Sequence, residues 1–372
     1  MSRLFCLLMM TTTPAFADAP KVVTDIAPVH ALVAQVMDGV GTPDLIIPAN
    51  ASPHGYAMRP SEARNLAQAE LVIWVGPTLT PWLDGPVETL GGGATQLILA
   101  DVNGLTVLPF REGEAFESHD HDPDHAQDGD HSNDHDGRKA IDPHLWLDPD
   151  NASIWLSAIA TALASADPEN ADTYHDNASR GQVAIAIQEK VIATQLEPFA
   201  DTPFIVLHDG FHYFESHFGV IAIAAVSAGD AATPGAAHIA SLRAHLKGSG
   251  VRCAFAEPQI NASLLDTVTE GLDVRVGILD PLGVNLPQGP GQYAALLGAM
   301  AAILPPPCLV ITTTAGRGGI LSSKSGHLVA GSSNVLSRSK PARSLVPSVP
   351  GCWTATNNVS PSSVKYGPHI SP

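Results

Sequence analysis

Basic side chains, aromatic rings and long apolar runs are all scarce in this sequence. Lys and Arg number 19 against 37 Asp and Glu, and Phe, Trp and Tyr make up 5% of the 372 residues. Residues 309–372 hold six of the bases and no acid, so residues 1–308 carry a net charge of −24. This balance argues against nucleic acid as a partner, because binding phosphates requires a basic surface. It is compatible with a cationic ligand.

The N-terminus contains one apolar run, and this run is short. Arg3 supplies a positive charge, residues 4–10 are apolar, and Ala15-Phe16-Ala17 fits a cleavage site of small residues. We predict a signal peptide over residues 1–17 and a mature chain that begins near Asp18; a buried N-terminal helix is the alternative. No stretch of the sequence is long and apolar enough to span a bilayer, so we expect an exported protein that is not transmembrane.

Cysteine is also scarce, with four residues. Cys6 lies in the predicted signal peptide, and two of the other three are expected to pair in an oxidising compartment. We favour Cys253 with Cys308, because this bond would join a strand-like segment at 251–256 to the end of the last strong helical pattern. It would contribute about 4 kcal/mol by closing the loop. A buried free thiol is the alternative.

What the sequence does have is an alternation of strand and helix patterns. Hydrophobic residues make up 45% of the chain and the mean hydropathy is +0.11, which indicates a globular protein. Residues 71–75 form a continuous apolar run, as in a buried parallel strand, and residues 59–62 open a helix that Ser61 can cap. We predict an α/β protein with two lobes and parallel sheets, joined by a long helix. The predicted boundaries are 18–166 for the N-terminal lobe, 167–197 for the helix and 198–308 for the C-terminal lobe.

Residues 112–136 interrupt this alternation. They contain ten acids, five histidines, no base and almost no apolar residue, so we predict a mobile loop that cannot pack a core. Its histidines are His119, His121, His125, His131 and His135. They would bind zinc or copper weakly, and the last lies nine residues before His144, so we expect the loop to gather metal near a site. A solvated charged insertion is the alternative.

The composition changes again after Cys308. Residues 309–372 are rich in Ser, Thr, Gly and Pro and have no clear periodicity. We predict a disordered tail over this range; the translation of a shifted reading frame is the alternative.

Two histidines and one aspartate lie close to the ends of predicted strands, and a third histidine lies in a loop between two prolines. They are His54, His144, His208 and Asp280. In parallel sheets ligands bind beyond the carboxyl ends of strands, so the three histidines, which come from both halves of the chain, could converge between the lobes. Three neutral imidazoles with a carboxylate or water make a good zinc site, with bonds of about 2.0–2.2 Å. Magnesium and calcium would require oxygen ligands.

The other histidines before the tail are interpreted as ordinary surface or core residues, or as neighbours of the site. The ordinary ones are His30, His175, His217, His238 and His245. His212 lies four residues after His208, a spacing that would place two ligands on one face of a helix. Because His208 is expected at the end of a strand, we interpret His212 as a neighbour and not as a ligand.

Four segments carry a family resemblance. They read Ser52-Pro53-His54-x-Tyr56-x-x-Arg59-Pro60-Ser61, Asp142-Pro143-His144-Leu145-Trp146-Leu147-Asp148-Pro149, Leu207-His208-Asp209-x-Phe211-x-Tyr213-Phe214 and Gly277-x-Leu279-Asp280-Pro281-Leu282-Gly283. They resemble segments of zinc ABC-transporter substrate-binding proteins of the ZnuA type, within the cluster A-I family of metal-binding proteins. An acidic, His-rich insertion before the second histidine and a cysteine pair placed like Cys253 and Cys308 are also typical of these proteins. The resemblance covers about residues 20–308.

The resemblance implies two Rossmann-like lobes joined by one rigid helix, with zinc at the lobe interface. It implies His54, His144 and His208 as ligands and Asp280 at the carboxylate position. It also implies a monomeric periplasmic protein that catalyses no reaction and delivers zinc to an ABC-type permease. Two departures stand out: Pro53 replaces a carboxylate found in some zinc members, so Asp280 or water must be the fourth ligand, and residues 309–372 have no counterpart in the family.

Two other functions fit part of the pattern. Three histidines with water also form catalytic zinc sites, which would indicate a zinc hydrolase. Against it, the H-E-x-x-H motif is absent, and Glu257, the best candidate for a general base, is better interpreted as a lobe-interface residue. The third hypothesis is a manganese-binding relative, although such relatives use more carboxylates and lack the His-rich insertion.

Overall fold

The computed structural model describes residues 19–111, 115–116, 141–227 and 234–304. Within these ranges the chain forms two four-stranded parallel sheets with helices around them, and a long helix lies between the two sheets in sequence. No helix in these ranges is long and apolar enough to cross a membrane. The predicted α/β class with parallel sheets is confirmed.

The first sheet is built from the N-terminal third of the chain. Its strands are β1 (Val22–Thr24), β2 (Asp44–Leu45), β3 (Leu71–Trp74) and β4 (Thr95–Ile98), and the helices between them are α1 (Ala27–Val36), α2 (Pro60–Ala67) and α3 (Pro81–Thr89). The strand order is β2-β1-β3-β4, and all pairs are parallel. All four side chains of β3 are buried, as expected for a parallel strand covered on both faces.

Two helices follow the first sheet, α4 (Pro149–Ala166) and α5 (Ala171–Leu196). Asp148 caps α4, because its carboxylate accepts the backbone N–H of Asp150 at 2.9 Å. Gly181 lowers the helix propensity of α5, but it allows close packing. A Cβ at Gly181 would lie 2.9 Å from both Gln35 Cγ and Leu156 Cδ1. The 26-residue α5 therefore packs directly against α1 and α4.

The second sheet has the strand order β6-β5-β7-β8, again all parallel. In chain order its elements are β5 (Phe204–His208), α6 (His212–Phe218), β6 (Ala224–Ser227), α7 (Ala236–Leu246), β7 (Cys253–Ala256), α8 (Ser263–Thr269), β8 (Arg275–Ile278) and α9 (Gln292–Ile303). Every side chain of the two central strands, β5 and β7, is buried. Because the strands are parallel, residues that follow β5 and β7 lie at the same edge of the sheet.

A buried aspartate closes the corresponding edge of the first sheet. Asp25 follows β1, and its carboxylate accepts the backbone N–H of Ile26 at 2.7 Å and that of Val75 at 2.8 Å. Burial raises the pKa of Asp25 to about 7, although the hydrogen bonds from Val75 and Ile26 oppose the rise. Asp25 therefore joins the ends of β1 and β3.

Two local details differ from the sequence-based expectation. Helix α2 begins at Pro60, so Ser61 is its second residue and not its cap. Proline suits the first helical position because it has no N–H to satisfy, and the Glu62 carboxylate accepts the N–H of Arg59 at 2.6 Å. Strand β4 was not predicted, because its first two side chains, Thr95 and Gln96, are exposed and break the apolar pattern.

Several predictions lie outside the described residues. They concern the signal peptide at 1–17, the five histidines of the insertion, Cys308 and the tail at 309–372. Cys253 is buried in β7, and its pairing with Cys308 stays a prediction. The boundaries of the lobes likewise stay predictions.

Candidate metal centre

His54 lies in a short 3-10 helix, Pro53–Gly55, after β2. The hydroxyl oxygen of Ser52 accepts the backbone N–H of His54 at 3.2 Å. The carbonyl of Pro53 accepts the indole N–H of Trp82, from α3, at 2.7 Å. These two bonds fix the turn that carries the half-buried first histidine against the first lobe.

His144 is held by the aspartate two residues before it. Asp142 Oδ1 lies 3.0 Å from the backbone nitrogen of His144 and 2.7 Å from its ring Nδ1. The Asp142 carbonyl in turn accepts the hydroxyl of Tyr213 at 2.9 Å, and Trp146 donates to the Pro281 carbonyl at 2.9 Å. Residues from the second half of the chain therefore position the loop of the second histidine.

His208 is the last residue of β5, and a carboxylate from the neighbouring strand holds it. Glu257 follows β7 directly, and its Oε1 lies 2.6 Å from His208 Nδ1. Both side chains are buried. Because β5 and β7 are paired, the two residues meet at one edge of the second sheet.

The three imidazoles converge. His144 Nε2 and His208 Nε2 are 3.2 Å apart, and the His54 ring centroid lies 5.5 Å from that of His144 and 6.3 Å from that of His208. One ligand nitrogen from each of the three lies within 4.8 Å of the other two. With Glu257 and Trp146 they line a cavity of about 20 Å³, room for one small ion or water. Tetrahedral zinc–imidazole bonds place two nitrogens about 3.3 Å apart, close to the separation found here.

The buried carboxylates determine which ring nitrogens carry a proton. An ionised carboxylate only accepts hydrogen bonds, so Nδ1 of His144 and of His208 donates to it and both Nε2 atoms are left as acceptors. Burial raises the pKa of Asp142 to about 6, so this group is still ionised at neutral pH. Burial and the neighbouring His208 hold the pKa of His144 well below its usual value. Two lone pairs therefore face each other at 3.2 Å, an arrangement that a bound cation would stabilise.

This arrangement agrees with the result of a family comparison. Residues 22–304 match the model of the ZnuA family, described as the periplasmic component A of a zinc-uptake complex. The chain belongs to the ZnuA family. The resemblance drawn from its four sequence segments is therefore confirmed.

Relatives in the ZnuA family cover most of the chain. The high-affinity zinc uptake system protein ZnuA of Brucella abortus (strain 2308) is 39% identical over 297 residues, which are 75% of this chain and 89% of the relative. The protein of the same name from Paracoccus denitrificans (strain Pd 1222) is 40% identical over 301 residues, 78% of this chain and 92% of the relative. A crystal structure of ZnuA superposes with a TM-score of 0.61 at 19% identity, over 76% of this chain and 96% of the other. This last likeness supports the two-lobed α/β fold.

In this ZnuA-family chain a glycine makes room for the histidines. A Cβ at Gly210 would lie 2.4 Å from both Cε1 and Nε2 of His208, and 3.1 Å from Nε2 of His144. Real side chains do not approach so closely, so any larger residue would displace the rings. The Gly210 N–H also donates to the His208 carbonyl at 2.9 Å, which shapes the turn between β5 and α6.

Arg111 joins the start of the insertion to the segment after His208. Its guanidinium donates to Asp209, with Nε at 2.8 Å, and to Glu215, with one terminal nitrogen at 2.6 Å; both carboxylates are buried. Burial lowers the pKa of Arg111, but Glu215 and Asp209 raise it by more, so the pKa is raised overall and the group stays charged. The Phe116 ring lies 4.3 Å from the guanidinium carbon. Arg111 thus neutralises two buried carboxylates beside the third histidine.

The insertion leaves and re-enters the fold at one place. Pro109 and Ile141 form an isolated antiparallel bridge, and the Asp142 N–H donates to the Leu108 carbonyl at 3.0 Å. Ala115, near the start of the insertion, accepts the N–H of Ala225 from β6 at 3.1 Å. The segment predicted to gather metal is therefore anchored two to three residues before His144.

Asp280 lies outside the three-histidine group. Its Oδ1 accepts the backbone N–H groups of Leu282 and Gly283, each at 3.0 Å, and its Oδ2 accepts that of Val284 at 2.7 Å. Gln259 also donates to Oδ1, at 3.1 Å. These bonds show that Asp280 closes its own turn, and its part as a metal-binding carboxylate stays a prediction.

His212 agrees with its interpretation as a neighbour. It is the first residue of α6, after β5 has ended at His208, and it does not belong to the group of three. Its Nδ1 lies 3.9 Å from Asp142 Oδ2. His208 and His212 are four residues apart, but they do not lie on one helix, because the end of β5 and a turn lie between them.

The sequence did not indicate which residues hold or surround the ligands. They are Asp142, Glu257, Gly210 and Arg111. Asp142 had a readable signal, since an acid two residues before a histidine can bond to both its backbone and its ring. Glu257 had a weaker one, an acid directly after a strand pattern. Nothing local to Gly210 or Arg111 indicates their contacts, because these depend on how distant segments pack.

Proposed function

We propose that this ZnuA-family chain binds Zn²⁺ through His54, His144 and His208 and delivers it to an ABC-type membrane permease. The observation that carries the proposal is the pair of Nε2 atoms of His144 and His208, 3.2 Å apart. Each opposite ring nitrogen is bonded to a buried carboxylate, the pattern of metal-ligating histidines.

Zinc fits this donor set better than other abundant divalent cations. Imidazole nitrogen suits zinc, whereas magnesium and calcium prefer oxygen, and manganese favours carboxylates. The group of three contains no carboxylate. We propose water as the fourth ligand, since both carboxylate oxygens of Asp280 already accept backbone N–H groups. The cavity of about 20 Å³ has room for little else.

Binding and delivery explain the site better than catalysis does. In zinc proteases of the H-E-x-x-H type, a carboxylate that does not bind the metal acts as the base on the metal-bound water. Glu257 and Asp142 each orient a histidine instead. The relatives from Brucella abortus and Paracoccus denitrificans are named zinc uptake proteins. We therefore propose that the chain is not an enzyme.

The proposed compartment is the periplasm, where the family description also places its members. Export would depend on the predicted signal peptide at residues 1–17. An oxidising compartment would allow the predicted bond between Cys253 and Cys308. We propose that the mature protein acts as a monomer, and that the histidines of the insertion collect zinc weakly before it reaches the three-histidine group.

Zinc titration by calorimetry on the mature chain from Asp18 tests the proposal. One tight event should survive replacement of the five insertion histidines by asparagine, while weaker events decrease. His54→Ala should abolish the tight event, because two imidazoles cannot complete the site. His175→Ala is the matched control, since His175 is exposed on α5 and should leave the tight event unchanged.

If all zinc binding disappears with the insertion histidines, the three-histidine site is wrong. The transported metal is tested separately, in cells that depend on this protein for growth. Growth under zinc limitation should fail with His54→Ala and should not be restored by manganese.

A further inference from the structure

A second group of metal-ligating side chains lies where α4, α5 and α6 meet. His217, near the end of α6, places its Nδ1 3.2 Å from Asp148 Oδ1 and 3.9 Å from Asp150 Oδ2. Its other ring nitrogen, Nε2, lies 3.3 Å from Glu189 Oε1. We call these four residues the His217 group. One ligand atom from each of Asp148, Asp150 and His217 lies within 4.8 Å of the other two.

The His217 ring has carboxylates at both of its nitrogens, whereas each buried ring of the three-histidine group has a carboxylate at one nitrogen only. There, one ring nitrogen faces the other ligands and the opposite one donates to a carboxylate. In the His217 group, Glu189 occupies the carboxylate position behind the ring, and Asp148 and Asp150 lie in front of it. A carboxylate behind a histidine fixes the tautomer that leaves the other nitrogen able to bind metal.

The charges of the group also favour a cation. Three carboxylates surround one imidazole, and none of them forms an ion pair with Lys or Arg in the part of the chain that the structure describes. The N-terminus of α4 compensates some of this charge through Asp148, its cap. A protonated imidazole would add a single positive charge against three negative ones, whereas a divalent ion would add two.

We propose that Asp148, Asp150 and His217 form a second, weaker site for a divalent transition-metal ion, with Glu189 orienting the histidine. One imidazole and two carboxylates suit zinc or manganese. The site is weaker than the three-histidine group because Asp150 is 70% exposed and water competes with it. An ion there joins α4, which follows the segment of His144, to α6, which follows His208. Occupancy of the second site therefore stiffens the connection between two segments that carry ligands of the first.

The test is zinc titration of the mature chain in which the five insertion histidines are replaced by asparagine. One weakly bound equivalent of zinc should remain in addition to the tightly bound one. Asp150→Asn and His217→Ala should each remove the weak equivalent and leave the tight one. His175→Ala, on the exposed face of α5, should keep both. Asp150 is exposed, so its variant should fold normally, and circular dichroism checks this.

Survival of the weak equivalent in both variants would overturn the proposal. Nuclear magnetic resonance of the histidine rings gives an independent readout: the signals of His217 should shift with the weak equivalent and not with the tight one. Failure of the three-histidine proposal would look different, because the tight event would be missing while the weak equivalent still depended on Asp150. The second site thus stands or falls separately from the first.

Discussion

The three-histidine group and the His217 group differ in the burial and in the charge of the side chains that would face a cation. His144 and His208 are buried, and their carboxylates lie behind the rings. In the His217 group, the carboxylates lie on both sides of a single ring, and one of them is largely exposed. The first arrangement presents neutral nitrogens to a cation, and the second presents negative charge.

This difference has a consequence for selectivity. Neutral imidazoles select by ligand type, so hard cations that require oxygen gain little from them. Carboxylates attract any divalent cation, and exposure to water weakens that attraction. We therefore expect high selectivity at the three-histidine group and low selectivity at the His217 group, even within one protein.

The largest difference between the two groups is expected when the glutamate that bonds to a histidine ring is replaced by glutamine in each group. Glu257→Gln should lower zinc affinity of the tight site about 10–100-fold, because loss of the charge makes the His208 ring a weaker ligand. Glu189→Gln should leave the tight site unchanged and affect the weak equivalent alone. Competition with a zinc chelator measures both. Equal losses in the two variants would mean that the groups are not independent.

A smaller effect is expected from filling the space beside His208. Gly210→Ala should lower zinc affinity about tenfold, since the new Cβ would overlap the ring and displace it. Gly235→Ala is the matched control, because a Cβ there meets nothing within 4 Å and its φ is negative. Titration and thermal unfolding are measured together. If Gly210→Ala binds zinc as well as the control does, the rings are less closely constrained than the distances indicate.

The smallest effect concerns the pH dependence of stability without metal. Burial lowers the pKa of His217, but the hydrogen bond to Asp148 and the charges of Asp148 and Asp150 raise it by more, so the pKa is raised overall. A raised pKa means that the stabilisation is present below about pH 6.5 and is lost as the pH rises through the higher folded-state value. His217→Ala should therefore lower the free energy of unfolding by on the order of 1 kcal/mol in acid and less at alkaline pH.

Urea unfolding in the presence of a chelator measures this effect at both pH values. His175→Ala serves as the control, because it removes an exposed histidine from α5, the helix that also carries Glu189. A loss of stability that is the same at both pH values would show that His217 contributes packing and not charge.

The sequence predicted the parts of the fold that depend on local pattern. The apolar run at 71–75 forms β3. His208 was predicted directly after a strand, and it is the last residue of β5, so this prediction was correct to within one residue. The three histidines could be chosen because parallel strands bring the loops at their carboxyl ends together, and because the segments that contain them resemble those of ZnuA-type proteins.

What the sequence could not show depends on contacts between distant segments. Asp280 follows a strand just as Glu257 does, yet the first carboxylate turns back to its own loop and the second reaches a histidine 49 residues away. Both acids lie next to a strand end. Their roles differ because β7 pairs with β5, which brings Glu257 next to His208. Nothing local to His217 indicates its contacts for the same reason, since its three carboxylates come from the start of α4 and from α5.

The bridge between Pro109 and Ile141 makes the acidic insertion a closed loop with adjacent ends. For such a loop, a doubling of length costs only about 0.6 kcal/mol of closure entropy. The sequence between Phe116 and Ile141 can therefore be exchanged without moving His144, which Asp142 holds separately. A fluorescent reporter domain could be inserted at this position, so that zinc binding at the neighbouring centre is measured as a change in fluorescence.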